Sequence, residues 1–124
     1  MKIIIKTEHG NLDAEIDEEM NEKTAKAIID SLPLEGKVMR WGDEIYFETH
    51  TEIGEEDART EMEIGELAYW VEGKCFCIFF GRTPESSNDR PVAASDANPF
   101  GRVTGNLSLL RKVKEGEKIR VEKI

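Results

Sequence analysis

Arg40 stands beside Trp41 in Val38-Met39-Arg40-Trp41. A guanidinium offers a fork of donors to a carboxylate or a carbonyl, and a neighbouring indole adds a flat apolar wall. Trp41, Tyr46, Tyr69 and Trp70 lie close to turns carrying Gly42 and Gly73, where large aromatics can line a pocket mouth as readily as they fill a core. Glu48, His50 and Glu52 alternate, so a strand running through them would set two carboxylates and an imidazole on one face, a partial metal set. No fourth ligand is in sight and a solvated strand end explains them better, so no metal is assigned. Cys75-x-Cys77 puts two thiols on one strand face like half a zinc site, but His9 and His50 are the only histidines and neither is spaced to complete it. Buried free thiols are expected instead. Asp43 and Glu44 are adjacent and point apart, which removes them as an acid and base pair. No glycine-rich phosphate loop, nucleophile elbow or Ser-His-Asp arrangement is visible, and no cofactor is expected.

The elements that must position these residues follow from hydrophobic spacing. Gly65 to Pro84, GELAYWVEGKCFCIFFGRTP, carries the longest apolar run and predicts a hairpin of Leu67 to Val71 and Cys75 to Phe80 about Glu72-Gly73-Lys74, with Gly73 supplying the turn's dihedral freedom. Cys75, Cys77 and Phe79 project to one side and Phe76, Ile78 and Phe80 to the other. Both sides are apolar, so both should be covered. Lys2 to Thr7 and the alternating Leu12, Ala14 and Ile16 predict a first hairpin. Asn21 then caps a helix with Ala25, Ile28, Ile29 and Leu32 on its stripe, ended by Pro33. Lys37 to Trp41 and Glu44 to Thr49 predict another hairpin, with Ile45 and Phe47 on one face and Glu44, Tyr46 and Glu48 on the other. Thr60 to Ile64 reads as an exposed strand and Glu85 to Pro99 as a long structureless loop. Phe100 to Thr104 is a strand, Leu107 to Val113 a short helix, and Lys118 to Ile124 the last strand.

The 124 residues make one domain, 1–124. Many short strands and two short helices predict a closed antiparallel β-barrel capped at its ends, since closure removes exposed edges. A net charge of −9 repels phosphate backbones and anionic membranes, so neither nucleic acid nor membrane is expected as a partner. No apolar run approaches the ~20 residues of a membrane helix and the start lacks a secretion signal. Two cysteines poorly placed to bridge suit a reducing compartment; a cytoplasmic protein is expected.

The order of these elements, the Phe79-Phe80 pair and the run Phe100-Gly101-Arg102-Val103-Thr104-Gly105 leading into Leu107 to Val113 resemble the cyclophilins. Trp41-Gly42-Asp43-Glu44-Ile45-Tyr46-Phe47, Tyr69-Trp70 with Gly73, Phe79-Phe80-Gly81 and Thr83-Pro84 resemble, over nearly the whole chain, the short prokaryotic cyclophilin-like proteins of unassigned activity. The resemblance implies peptidyl-prolyl isomerase activity, with Arg40 in the place of the catalytic arginine and Phe80 flooring the proline pocket. Ile78 stands where cyclophilins have a glutamine, Ala97 where they have a histidine, and the loop lacks their tryptophan. The expectation is therefore a protein that holds a peptide or small-molecule ligand, with little or no catalysis, in a groove around Arg40, Trp41, Tyr46, Ile78, Phe80, Ala97 and the loop from Glu85. The alternatives are a working isomerase using Arg40, and an enzyme or subunit acting on a small amide-type substrate.

Overall fold

Alternation shapes the first hairpin. In β1 (Lys2–Thr7) and β2 (Gly10–Ile16), Ile3, Ile5, Leu12, Ala14 and Ile16 are buried while the residues between them are half-buried or exposed, as a sheet with one covered face requires. The computed structural model describes all 124 residues. The chain continues through α1 (Glu22–Ser31), β3 (Leu34–Lys37), β4 (Met39–Trp41), β5 (Glu44–Glu48), β6 (Arg59–Glu61), β7 (Glu66–Trp70), β8 (Cys75–Phe79), β9 (Val92–Val103), a 3-10 helix (Leu107–Lys112) and β10 (Lys118–Lys123). The molecule is mainly β with one antiparallel sheet, in the order β3-β10-β1-β2-β9-β7-β8-β5-β4, and β6 pairs with β9 off this path.

The expected closure of the barrel is not made by a ladder. Only Val38 separates the two end strands, β3 and β4, too short a link for the chain to turn back and pair them; β3 bonds outward to β10 and β4 to β5. Between them Val38 donates to the Glu117 carbonyl and accepts from the Gly116 amide, both at 2.8 Å. The single strand expected over Lys37 to Trp41 is thereby two short ones. β3 nevertheless packs against β5, since a Cβ added to Gly36 would stand 3.1 Å from the Phe47 ring.

The central hairpin is covered on both faces. Phe76, Ile78 and Phe80 enter the main core, where the Phe76 ring lies 5.3 Å from both the Phe47 and Phe100 rings. Cys75, Cys77 and Phe79 enter a second, smaller cluster with Met62, Ala68, Ala93 and Ala97. This outer cluster exists because β9 begins at Val92, inside the stretch expected to be a loop. Its first half is built of small residues that fit over large ones below, which hid it from a reading based on bulky β-formers. Pro99 sits opposite Ala68 beside a register shift at Leu67/Ala68, the kind of irregularity that accepts a residue without an N–H. The remaining loop is tied: Thr83 N–H donates to Ser86 Oγ at 3.0 Å and Ser86 Oγ to the Arg90 carbonyl at 2.6 Å.

Three local expectations change. Asn21 has φ 49° and makes no side-chain cap on α1; its amide donates to the Pro99 carbonyl at 2.8 Å and its carbonyl accepts from Asp57 N–H at 2.7 Å, fixing the helix to β9. The last helix is 3-10, its Asn106 side chain accepting from the Ser108 amide. In the central turn the left-handed residue is Lys74, at φ 57°. Gly73 is needed for space instead, since a Cβ there would stand 2.2 Å from the Trp70 ring. No helix is long and apolar enough to cross a membrane.

Candidate functional site

Register across the sheet sorts the expected site residues onto two faces, because partners opposite one another point the same way. Arg40 pairs with Ile45 and Ile45 with Ile78; this row, with Phe80, faces the main core. Trp41 pairs with Glu44 and Glu44 with Phe79, while Met39, Tyr46 and Cys77 form the next row; these face the outer cluster, where Ala97 is also buried. The expected residues thus do not line a single groove. Ile78 and Ala97 are fully buried on opposite sides of the sheet.

Arg40 is occupied by its own chain. Its Nε donates to the Gly42 carbonyl at 3.0 Å, Nη1 to the carbonyls of Arg111 and Val113 at 3.1 and 2.9 Å, and Nη2 to Asp43 Oδ1 at 3.2 Å. The guanidinium carbon lies 5.2 Å from the Phe80 ring centroid, with Arg111 at 5.9 Å. The fork therefore joins the β4–β5 turn to the end of the 3-10 helix. One of its five N–H groups remains for anything else.

The outer face holds a cavity of about 230 Å³. Trp41, Tyr46, Trp70 and Phe79 form its aromatic walls, Ala93 and Ala94 of β9 close one side, and Glu44 is the only charged residue on it. Each is placed by a strand: alternation brings Glu44 and Tyr46 to the same side of β5, and the small alanines of β9 leave room over them. Tyr46 and Trp70 meet edge to face with centroids 6.1 Å apart. The Trp70 indole N–H donates to Ser95 Oγ at 2.6 Å, and Ser95 Oγ to Glu72 Oε2 at 3.0 Å, so that ring is held from outside the cavity. Gly73 leaves the space in which it lies.

Glu44 is 5% exposed and makes no ion pair. Loss of water raises its pKa from 4.5 to about 7, and the neighbouring Cys77 thiol, within hydrogen-bond reach, offsets part of that rise. The contrast is Glu66, equally buried at 6%, whose carboxylate takes a two-pronged bond from Arg59 at 2.7 and 3.0 Å. The chain has thus neutralised one buried acid internally and left the other facing a cavity. Burial also pushes the Cys75 thiol up to about 11 and Cys77 higher still; both cysteines are free and buried, as expected. β5 ends at Glu48, and Glu52 bonds Lys74 at 2.6 Å, so Glu48, His50 and Glu52 do not share a strand face. No three His, Cys, Asp or Glu side chains stand close enough to hold a metal.

Sequence reasoning named Trp41, Tyr46 and Trp70 as aromatics able to line a pocket but passed over Glu44, Phe79, Ala93 and Ala94. No sequence signal marked Glu44: that it shares the apolar face of Cys77 and Phe79 follows from the register of β5 against β8.

Comparison with known proteins locates the chain. The sequence model of a family described as "Cyclophilin-like" matches residues 1–122. Among solved structures, a hypothetical protein of Archaeoglobus fulgidus determined in solution superposes with TM-score 0.82 at 38% identity, covering 100% of this chain and 95% of that one. McbB in complex with tryptophan superposes with TM-score 0.72 at 19% identity, covering 98% of this chain and 44% of McbB. No curated protein matches.

Proposed function

The chain belongs to the cyclophilin-like family, and on that premise we propose that it binds a small, largely apolar ligand in the outer-face cavity, with little or no catalysis. The observation that carries this reading is the cavity's lining: both tryptophans of the chain, an edge-on tyrosine and a buried unpaired acid converge on about 230 Å³. Ligand sites combine apolar walls with few polar groups in this way. The volume lies below the ~300–1,000 Å³ of pockets for drug-sized molecules, which favours a small metabolite over a peptide. No nucleophile stands at the cavity: the thiol beside Glu44, Cys77, is held far above neutral pH as the unreactive acid form.

Prolyl isomerisation at Arg40 is the rival. Catalysis there needs donors free to meet charge developing on a twisting amide, and the carbonyls of Gly42, Arg111 and Val113 with Asp43 take four of the five. Because Trp41 and Trp70 are the only tryptophans, intrinsic fluorescence reports on the cavity. A titration series of small aromatic amines, alcohols and acids, with tryptophan included because McbB was solved with it, is expected to give saturable changes that Trp70→Leu and Tyr46→Leu weaken. Saturable binding untouched by either change would overturn the assignment.

A further inference from the structure

Resting on the ligand-binding reading above, we infer that the cavity selects a small organic cation: an ammonium group on an apolar stem, with the Glu44 carboxylate as counter-ion and the rings of Trp41, Tyr46 and Trp70 as the surrounding wall. Glu44 is the only charged residue on the cavity, and no Lys, Arg or His of the chain pairs with it. Where the chain buries another acid, Glu66, it supplies Arg59. An ammonium entering the cavity would give Glu44 the partner that the fold gives Glu66. Aromatic faces attract the same charge, most strongly out of water. Both features disfavour an anion, as does the net charge of −9. The Trp70 indole N–H is already committed to Ser95 and so is not free to hold an acceptor on the ligand. A free small molecule is the occupant because a cavity of about 230 Å³ takes a metabolite-sized body.

The surroundings fix a pH dependence. Along β5 Glu44 has Tyr46 and Glu48 for neighbours on its face; β8 brings Cys75, Cys77 and the uncharged Phe79; β4 brings Trp41; and Glu115 acts on Tyr46 from beyond the 3-10 helix. Tyr46, Cys75 and Cys77 are all pushed up and stay neutral to pH 8, so they leave the charge to the acids. With Glu44 titrating near 7, its ionised fraction, and with it the affinity for an ammonium, rises about tenfold from pH 6 to pH 8.

The test compares 2-phenylethylammonium with its isostere 2-phenylethanol by calorimetry, with tryptophan fluorescence read in parallel. At pH 8 the ammonium should bind about tenfold tighter or better, the advantage should fall about tenfold at pH 6, and Glu44→Gln should remove it while leaving the alcohol within about twofold. Trp70→Leu should weaken the ammonium more than the alcohol. Equal affinities for the two probes at pH 8, with the tryptophan signal responding to both, would overturn the cation inference and leave the ligand-binding reading standing. No response to either probe would overturn both.

Discussion

Replacing Glu44 by glutamine probes the cavity through folding, with no ligand needed. In the folded protein this carboxyl keeps its proton up to about pH 7, whereas the ordinary value is 4.5. Between those values the folded state binds more protons than the unfolded one, so stability falls as pH rises. The contribution is fully favourable below 4.5 and is lost above about 7. With each pKa unit worth about 1.36 kcal/mol, the full change is roughly 3 kcal/mol. Glutamine keeps the shape and cannot ionise. The variant should match the wild type to within about 1 kcal/mol at pH 4.5 and exceed it by roughly 3 kcal/mol at pH 8. Urea unfolding of both proteins at half-unit steps from pH 4.5 to 8 measures the difference, and the other acids, common to both chains, cancel. At ~1–3 kcal/mol per molar urea the midpoints should separate by about 1–3 M at pH 8. A difference that stays flat across this range would refute the reasoning, because it would mean that Glu44 is solvated in the folded protein.

Four further outcomes follow from named contacts. Arg40→Ala should cost about 2 kcal/mol by chemical denaturation, since it removes charged donors from the carbonyls of Gly42, Arg111 and Val113; in a protease-coupled assay it should change no prolyl isomerisation rate, and substantial turnover abolished by it would restore the isomerase reading. Gly73→Ala should displace Trp70, whose ring a Cβ would meet at 2.2 Å, shifting tryptophan emission and weakening cavity ligands more than it lowers stability. Gly101→Ala should cost at least ~2 kcal/mol, because its Cβ would stand 2.2 Å from the Glu15 carbonyl oxygen on the paired strand; thermal melts decide. Cys75 and Cys77 should resist a thiol reagent at pH 8 until the protein unfolds, the Cys75 thiol being held at about 11.

What the sequence showed best was pattern with a physical cause. Alternation in Leu12, Ala14 and Ile16 and the two apolar faces of Cys75 to Phe80 pointed directly to covered sheet surfaces, and both are covered. The first half of β9 escaped because Ala93, Ala94, Ser95 and Ala97 are weak strand formers, held there by pairing with β6 and β7 and by what they cover. The closed barrel expected from the many short strands is not made by a ladder; Val38 between the end strands bonds Gly116 and Glu117 instead, residues far apart in the chain. The site was legible in its aromatics and not in its acid: beside Asp43 and Glu48, Glu44 looks like one more residue of a wet strand face. Only the register of β5 against β8 reveals that its face is apolar and roofed by β9. Arg40 was conspicuous for the opposite reason, a charged residue beside a tryptophan, and only the structure shows that backbone carbonyls and Asp43 take four of its five donors.

The most direct test follows backbone and indole amide signals by nuclear magnetic resonance while 2-phenylethylammonium is added at pH 8. Perturbations centred on the Trp41 and Trp70 indoles, Ala93 and Ala94 are the predicted result. Shifts gathered instead around Arg40, Phe80 and Arg111, with the indoles unmoved, would contradict it and return the ligand to the other face of the sheet.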